Sequence, residues 1–298
     1  MKRLVALLLC FVFALSLVAC GNNSISDKIQ LPDLDDNNDD TPKSEITLKE
    51  TVIVDNEDCL IKITGAEHDD IWGFSIKVYL ENRSSDVTYR FSADDATIND
   101  VNILSIFSAE VTPGKKANEE ITFLDSTLYG NDIGEYTDIQ LTFSVRDSED
   151  YSADEIVKET VHIYPYGEDK AISYTRQPQA SDLVIIDNEH VTATVVGYEL
   201  DEITGYRVKL FLENKTDDTV VFDLVEDASI NGFMANPILM CTLATGKCAY
   251  ASIDWYSSIL EDNGITDVEE LEFTIRACEP EDFLSSRYLA KETVTLNP

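Results

Sequence analysis

Glycine and proline are scarce, 12 and 8 among 298 residues. That scarcity excludes a collagen-like repeat and argues against a chain disordered throughout. Basic residues are few as well. There are 22 lysines and arginines against 57 aspartates and glutamates, a formal net charge of −35. Phosphate contacts need clustered lysine and arginine, so this balance excludes a nucleic-acid partner. The three histidines, His68, His162 and His190, stand at no metal-ligand spacing with one another. No HExxH, paired CxxC, phosphate loop or GxSxG occurs. Among 57 carboxylates close pairs arise by chance, so no acid–base dyad stands out. These absences predict a non-enzymatic chain with no cofactor and no metal. Beyond the first twenty residues no apolar run approaches the roughly 20 residues that cross a bilayer.

What is present begins with MKRLVALLLCFVFALSLVAC. Lys2 and Arg3 supply positive charge, residues 4–18 are apolar, and Leu17-Val18-Ala19-Cys20 precedes Gly21. This order resembles the signal peptide and lipobox of bacterial lipoproteins. The resemblance implies that residues 1–19 are a lipoprotein signal peptide, cut before Cys20, and that Cys20 carries diacylglycerol. It implies a protein held on the outer face of the cell membrane, extracytoplasmic and lipid-anchored. Two or more acyl chains, at ~0.8 kcal/mol per buried methylene, anchor stably where one does not. Loss of Lys2 and Arg3 takes the net charge from −35 to −37. Such a charge repels anionic lipid and wall polymer and favours cationic partners, divalent ions included. Residues 20–48 read as an acidic disordered tether. Within it residues 32–42 are polar and unpatterned, unable to bury enough apolar surface to offset ordering entropy. They also lack the central glycine and terminal glutamate of an EF-hand loop.

The rest of the chain repeats itself. Asp55-Asn56-Glu57 returns 132 residues later as Asp187-Asn188-Glu189. At the same offset Gly65 matches Gly197, Gly73 matches Gly205, and Leu80-Glu81-Asn82 matches Leu212-Glu213-Asn214. Asp95-Ala96 and Ile98-Asn99 match Asp227-Ala228 and Ile230-Asn231, and Gly114-Lys115 matches Gly246-Lys247. Near the end the offset is 133, with Lys158-Glu159-Thr160-Val161 matching Lys291-Glu292-Thr293-Val294. Residues 49–166 and 183–298 are therefore expected to be two domains joined by a linker, 167–182.

Inside each copy the hydrophobic period is two. Phe74, Ile76, Val78 and Leu80 alternate with polar neighbours, as do Tyr206, Val208, Leu210 and Leu212. Residues 139–145 and 271–277 repeat the pattern. Alternation places one set on a core face and predicts strands, seven or eight per copy. Asn-, Ser- and Thr-rich stretches at 82–86 and 214–218 predict turns, and residues 257–263 a helical turn with a counterpart at 126–132. The fold class is all-β, two tandem sandwiches. The stretches KVYLENRSSDVTYRF and KLFLENKTDDTVVFD, with the Asp-Ala-x-Ile-Asn and Gly-Lys turns, resemble the Ig-like modules of Gram-positive cell-envelope lipoproteins. That resemblance implies Ig-like β-sandwiches outside the membrane and implies no activity.

A few residues stand out for chemistry or contact. Cys241 and Cys248 flank a Thr245-Gly246 turn and are candidates for a hairpin disulfide, although a two-residue turn sets them diagonally. Trp72 aligns with Thr204, so the repeat does not require it, and it is a candidate partner contact. Trp255 aligns with Phe123 and is expected in the core, while Tyr164, Tyr166 and Tyr174 are expected to pack the copies together. The expected function is a lipid-anchored cell-surface protein, a non-enzymatic binding or structural module. Its partners are the membrane, through the lipid, and an unidentified protein or envelope component. The alternative is a ligand- or cation-sensing accessory subunit of an envelope complex.

Overall fold

Alternating apolar and polar residues become strands in both copies. The computed structural model describes residues 45–69, 73–103, 107–123, 133–150, 154–201 and 204–298. The expected signal peptide, most of the expected tether, Cys20, Trp72 and the helical turn expected at 126–132 lie outside these. The first copy comprises β1 (Thr51–Asp55), β2 (Cys59–Asp69), β3 (Gly73–Asn82), β4 (Tyr89–Ile98), β5 (Val101–Asn102), β6 (Phe107–Val111), β7 (Lys116–Phe123), β8 (Ile139–Asp147) and β9 (Val157–Ile163). The second comprises β10 (Leu183–Asp187), β11 (Val191–Asp201), β12 (Gly205–Asn214), β13 (Val220–Ile230), β14 (Phe233–Met234), β15 (Met240–Leu243), β16 (Cys248–Tyr256), helix α1 (Ser257–Asp262), β17 (Leu271–Cys278) and β18 (Ala290–Leu296). Among the described residues these are nine strands per copy rather than seven or eight. The excess comes from two-residue pieces, β5 and β14, too short to show a period.

The chain is all-β, and each copy is a sandwich. In the first, β1-β2-β3-β7 faces β5-β4-β8-β9, with β6 added on β4. In the second, β10-β11-β12-β16 faces β14-β13-β17-β18, with β15 added on β13. The inward residues of each pair of sheets make a core. Phe74, Ile76, Leu80, Phe91 and Phe143 lie at the centre of one, and Val208, Leu212, Phe222, Trp255 and Phe273 at the centre of the other. Trp255 is buried, as its alignment with Phe123 predicts, and its indole N–H donates to the Ala235 carbonyl at 2.9 Å.

The repeated residues hold this frame. Buried Asn82 donates from Nδ2 to the carbonyls of Val87 (2.8 Å) and Val111 (2.7 Å) and accepts from the Ser84 N–H. Asn214 does the same with Asp218 (2.7 Å), Leu243 (3.1 Å) and the Thr216 N–H. Each asparagine closes its own turn and also reaches β6 or β15 in the opposite sheet. Asn56 and Asn188 accept two backbone N–H bonds each, from Asp58 and Cys59 and from His190 and Val191. Gly65 and Gly197 sit at matching register shifts in β2 and β11. Gly205, at φ +107°, has no room for a side chain, since a Cβ would fall 2.1 Å from the Trp255 carbonyl oxygen.

The two sandwiches do not stand apart. Ser44–Pro298 form one compact unit. Strand β16 pairs in parallel with β5, Cys248 opposite Val101 and Ala249 opposite Asn102. Through this pair one sheet of each copy merges into a nine-stranded sheet.

Candidate functional site

The joint is built from a turn, a strap and a ladder. After β4 the chain turns at Asn99 and Asp100, both left-handed, with φ 51° and 71°. This turn is held by the Asn99 side chain, which donates to the carbonyls of Ile133 (3.0 Å) and Glu135 (2.8 Å). It aims the Asp100 carbonyl at the Cys248 N–H, 3.2 Å away, and brings its carboxylate onto the Lys247 ammonium. Burial alone would raise the Asp100 pKa. Lys247 and Ser173, which donate to the carboxylate, overcome that and hold it below its ordinary value.

The strap between the copies crosses the same place. The Tyr174 N–H donates to the Asn99 carbonyl at 2.7 Å, and its hydroxyl meets that of Tyr250 at 2.6 Å. Phe211 completes an aromatic cluster, its centroid 5.0 Å from Tyr250 and 6.4 Å from Tyr174. Arg176 lies 5.6 Å over the Phe211 ring and forms a two-pronged pair with Asp182, at 2.6 and 2.8 Å. Burial, and then the bond to Tyr174, push the Tyr250 hydroxyl well above the ordinary tyrosine range. Of the three tyrosines expected to pack the copies, Tyr174 does so. Tyr164 instead stacks on His162, 5.9 Å away, which pairs with Asp138 at 2.8 Å on an outward face.

Beside the joint opens a groove of about 450 Å³. Asn102 and Ile103 of the first copy form one wall, and residues 238–242 and β16 form the others. Ile238 and Met240 stand on the rim, 52% and 68% exposed, while Leu239 and Ala249 are buried beneath. One wall is backbone. The Asp254 N–H and carbonyl exchange bonds with Ile238, both at 3.0 Å, and the Cys248 N–H points to the first copy. Backbone direction alternates along a strand, so Tyr250 and Ser252 face the same way. Among the described residues no strand pairs with this edge between the β5 ladder, which ends at Ala249, and the Ile238–Asp254 bridge.

Cys241 and Cys248 require a correction. The expected disulfide needed β15 and β16 to form a hairpin. Instead β15 pairs with β13, Cys241 opposite Phe222, and β16 pairs with β12, Cys248 opposite Glu213. The turn at Thr245-Gly246 thus passes from one sheet to the other, and both cysteines are free thiols, as are Cys59 and Cys278. Burial pushes each of the Cys241 and Cys248 thiols up to about 12. Among the described residues no group of three or more His, Cys, Asp or Glu side chains is placed to hold a metal.

No protein-family model and no curated protein matches the chain. Among solved structures it is similar to a transglutaminase of red sea bream, at 9% identity and a TM-score of 0.22, over 84% of this chain. The match spans 31% of that protein's length. So distant a likeness transfers no activity. The expectation of a non-enzymatic chain is nonetheless withdrawn. Its basis was the lack of contiguous motifs, and sites assembled from residues far apart in sequence carry none.

Sequence reasoning missed the groove. Its signals were two: apolar residues at Phe233, Met234, Ile238 and Met240 in a stretch outside the alternating pattern, and a β16 sequence with little charge.

Proposed function

We propose that the chain is a lipid-anchored cell-surface binding or structural module of two Ig-like sandwiches. In this reading Cys20 holds it to the outer face of the membrane, and the groove at the joint receives a protein or cell-envelope partner. The groove carries the reading. It needs both copies, so it is a property of the pair that neither sandwich has alone. Its volume falls within the ~300–1,000 Å³ common among ligand sites. The order of basic, apolar and lipobox segments at the N-terminus supports the location.

Two experiments test the proposal. Cys20→Ser is expected to release the protein to the medium or leave an uncleaved precursor, read by fractionation and mass spectrometry. A variant processed and retained like wild type removes the anchor. Capture from envelope extracts is expected to lose its partner when Ile238 and Met240 are both replaced by lysine. Capture unchanged by that double substitution removes the groove from the function.

A further inference from the structure

We infer that the groove accepts an extended peptide segment, which pairs with the open edge of β16, and that this segment is uncharged at its centre and basic at its flanks. The inference rests on the reading of the chain as a binding module and names the partner class of that site.

Three observations carry it. The first is continuity with an interface the molecule already has. β5 pairs with β16 over Cys248 and Ala249 and then stops, and among the described residues no strand pairs with this edge of β16 again before the Ile238–Asp254 bridge. The Tyr250 carbonyl and the Ser252 N–H and carbonyl follow along the same edge, facing the groove. Backbone groups in that position are satisfied by an added strand, whose main chain supplies affinity and whose alternate side chains supply selectivity.

The second is the contrast between equivalent strands. β7 is the terminal strand of its sheet in the first copy and occupies the place that β16 has in the second. It carries Lys116, Glu119 and Glu120, all exposed. Charges on an edge strand keep other strands from adding to it. At the matching positions β16 has Cys248, Ala251 and Ser252. Cys248 is explained by β5, which covers it. Ala251 and Ser252 lie beyond β5, and their lack of charge leaves that stretch open to a strand. The exposed rim of Ile238 and Met240 offers apolar contact to side chains of the same segment.

The third is charge. A chain at −35 opposes a second copy of itself and draws basic segments. Asp254 lines the groove but is bonded to Arg207 at 2.7 Å, and Asp100, at the joint beside it, is bonded to Lys247, so neither carboxylate is left to neutralise a charge at the groove's centre. The occupant's own charge therefore belongs at its ends, outside the apolar rim.

The test uses a phage-displayed random nonapeptide library, panned on the detergent-solubilised full chain. Enriched peptides are expected to share an alternating apolar and hydroxyl centre with lysine or arginine at the ends. The synthesised consensus is expected to slow exchange of the Ser252 amide about tenfold or more. Methylating its alternate backbone nitrogens should weaken binding about tenfold, the loss of the two hydrogen bonds to the Tyr250 and Ser252 carbonyls. Met240→Lys should weaken it about fivefold without unfolding the protein, because the side chain is already exposed. No enrichment over a blank surface overturns the inference. So does a consensus that binds equally well when methylated or leaves Ser252 exchange unchanged. If envelope capture still depends on Ile238 and Met240 in that case, strand pairing fails alone and the binding reading stands. Peptide binding with the expected signature, alongside capture indifferent to the rim, keeps strand pairing and removes the binding reading.

Discussion

Asn82 and Asn214 each spend both ends of a buried amide on backbone groups of their turn and of the opposite sheet, while the turn carbonyls, of Val87 and Asp218, also accept from the Ser84 and Thr216 hydroxyls. Replacing either with alanine would remove the asparagine's bond to the carbonyl in the opposite sheet and its bond to the Ser84 or Thr216 N–H. At ~1–3 kcal/mol for each buried group left unpaired, Asn82→Ala and Asn214→Ala should each cost about 2–4 kcal/mol, read from urea midpoints. The thiols make a second case. With their pKa values pushed up to about 12, Cys241 and Cys248 are thiolates to about one part in 10⁴ at pH 8. A disulfide reagent at that pH should label neither in the folded protein and both after denaturation, as mass spectrometry would show. Both are half-buried, and rapid labelling of the native chain would contradict their raised pKa values. These residues also show what a sequence reveals. The asparagines were legible as turns because their first partners lie two to five residues away. The cysteines were misread because the outcome depends on which distant strand each one joins.

At the scale of elements, the pairing of β5 with β16 is the part that no periodicity announces. A two-residue strand has no period, and its partner lies about 150 residues away in the chain. The long strands were legible because alternation is local. Their division between two sheets was not, because hydrogen-bond partners leave no mark on hydrophobicity. The ion pair at this joint gives it a pH dependence. The Asp100 pKa is depressed in the folded state, despite burial, by Lys247 and Ser173. A depressed carboxyl contributes stability above its unfolded pKa, and that contribution is lost as pH falls through the lower folded value. The joint should therefore hold at neutral pH and loosen below about pH 4. Protection of the Cys248 and Tyr250 amides, taken relative to their intrinsic exchange rates at each pH, should fall there before the cores unfold. Asp100→Asn should show the lower protection already at pH 7, with little further change on acidification.

At the scale of the whole molecule, two separate cores share one sheet. Expressed alone, residues 45–166 and 183–298 should each unfold cooperatively, since each retains its own core. Each should melt below the joined chain, because separation uncovers Val101 on one side and Tyr250 on the other. Absence of cooperative unfolding in both halves would mean that neither core suffices. The high negative charge should make any salt stabilising, since screening acts within a Debye length of ~10 Å at 0.1 M. Calcium and sodium at matched ionic strength are expected to shift melting equally, and a saturable shift with calcium alone would point to a site. The repeat itself was legible down to single residues, because the bonds that shape a turn recur wherever the turn recurs. The groove was not, because it belongs to the places where the copies differ.

Duplication gives this protein an internal reference. Asn82 and Asn214 make nearly the same bonds, 132 residues apart in one chain. A substitution and its twin can be measured at one concentration, in one buffer, on one thermal history. What the two results share is the requirement of the sandwich, and what remains after subtraction belongs to position. Asp100 set against Gly232, and Tyr250 against Asn118, are then differences with a built-in zero.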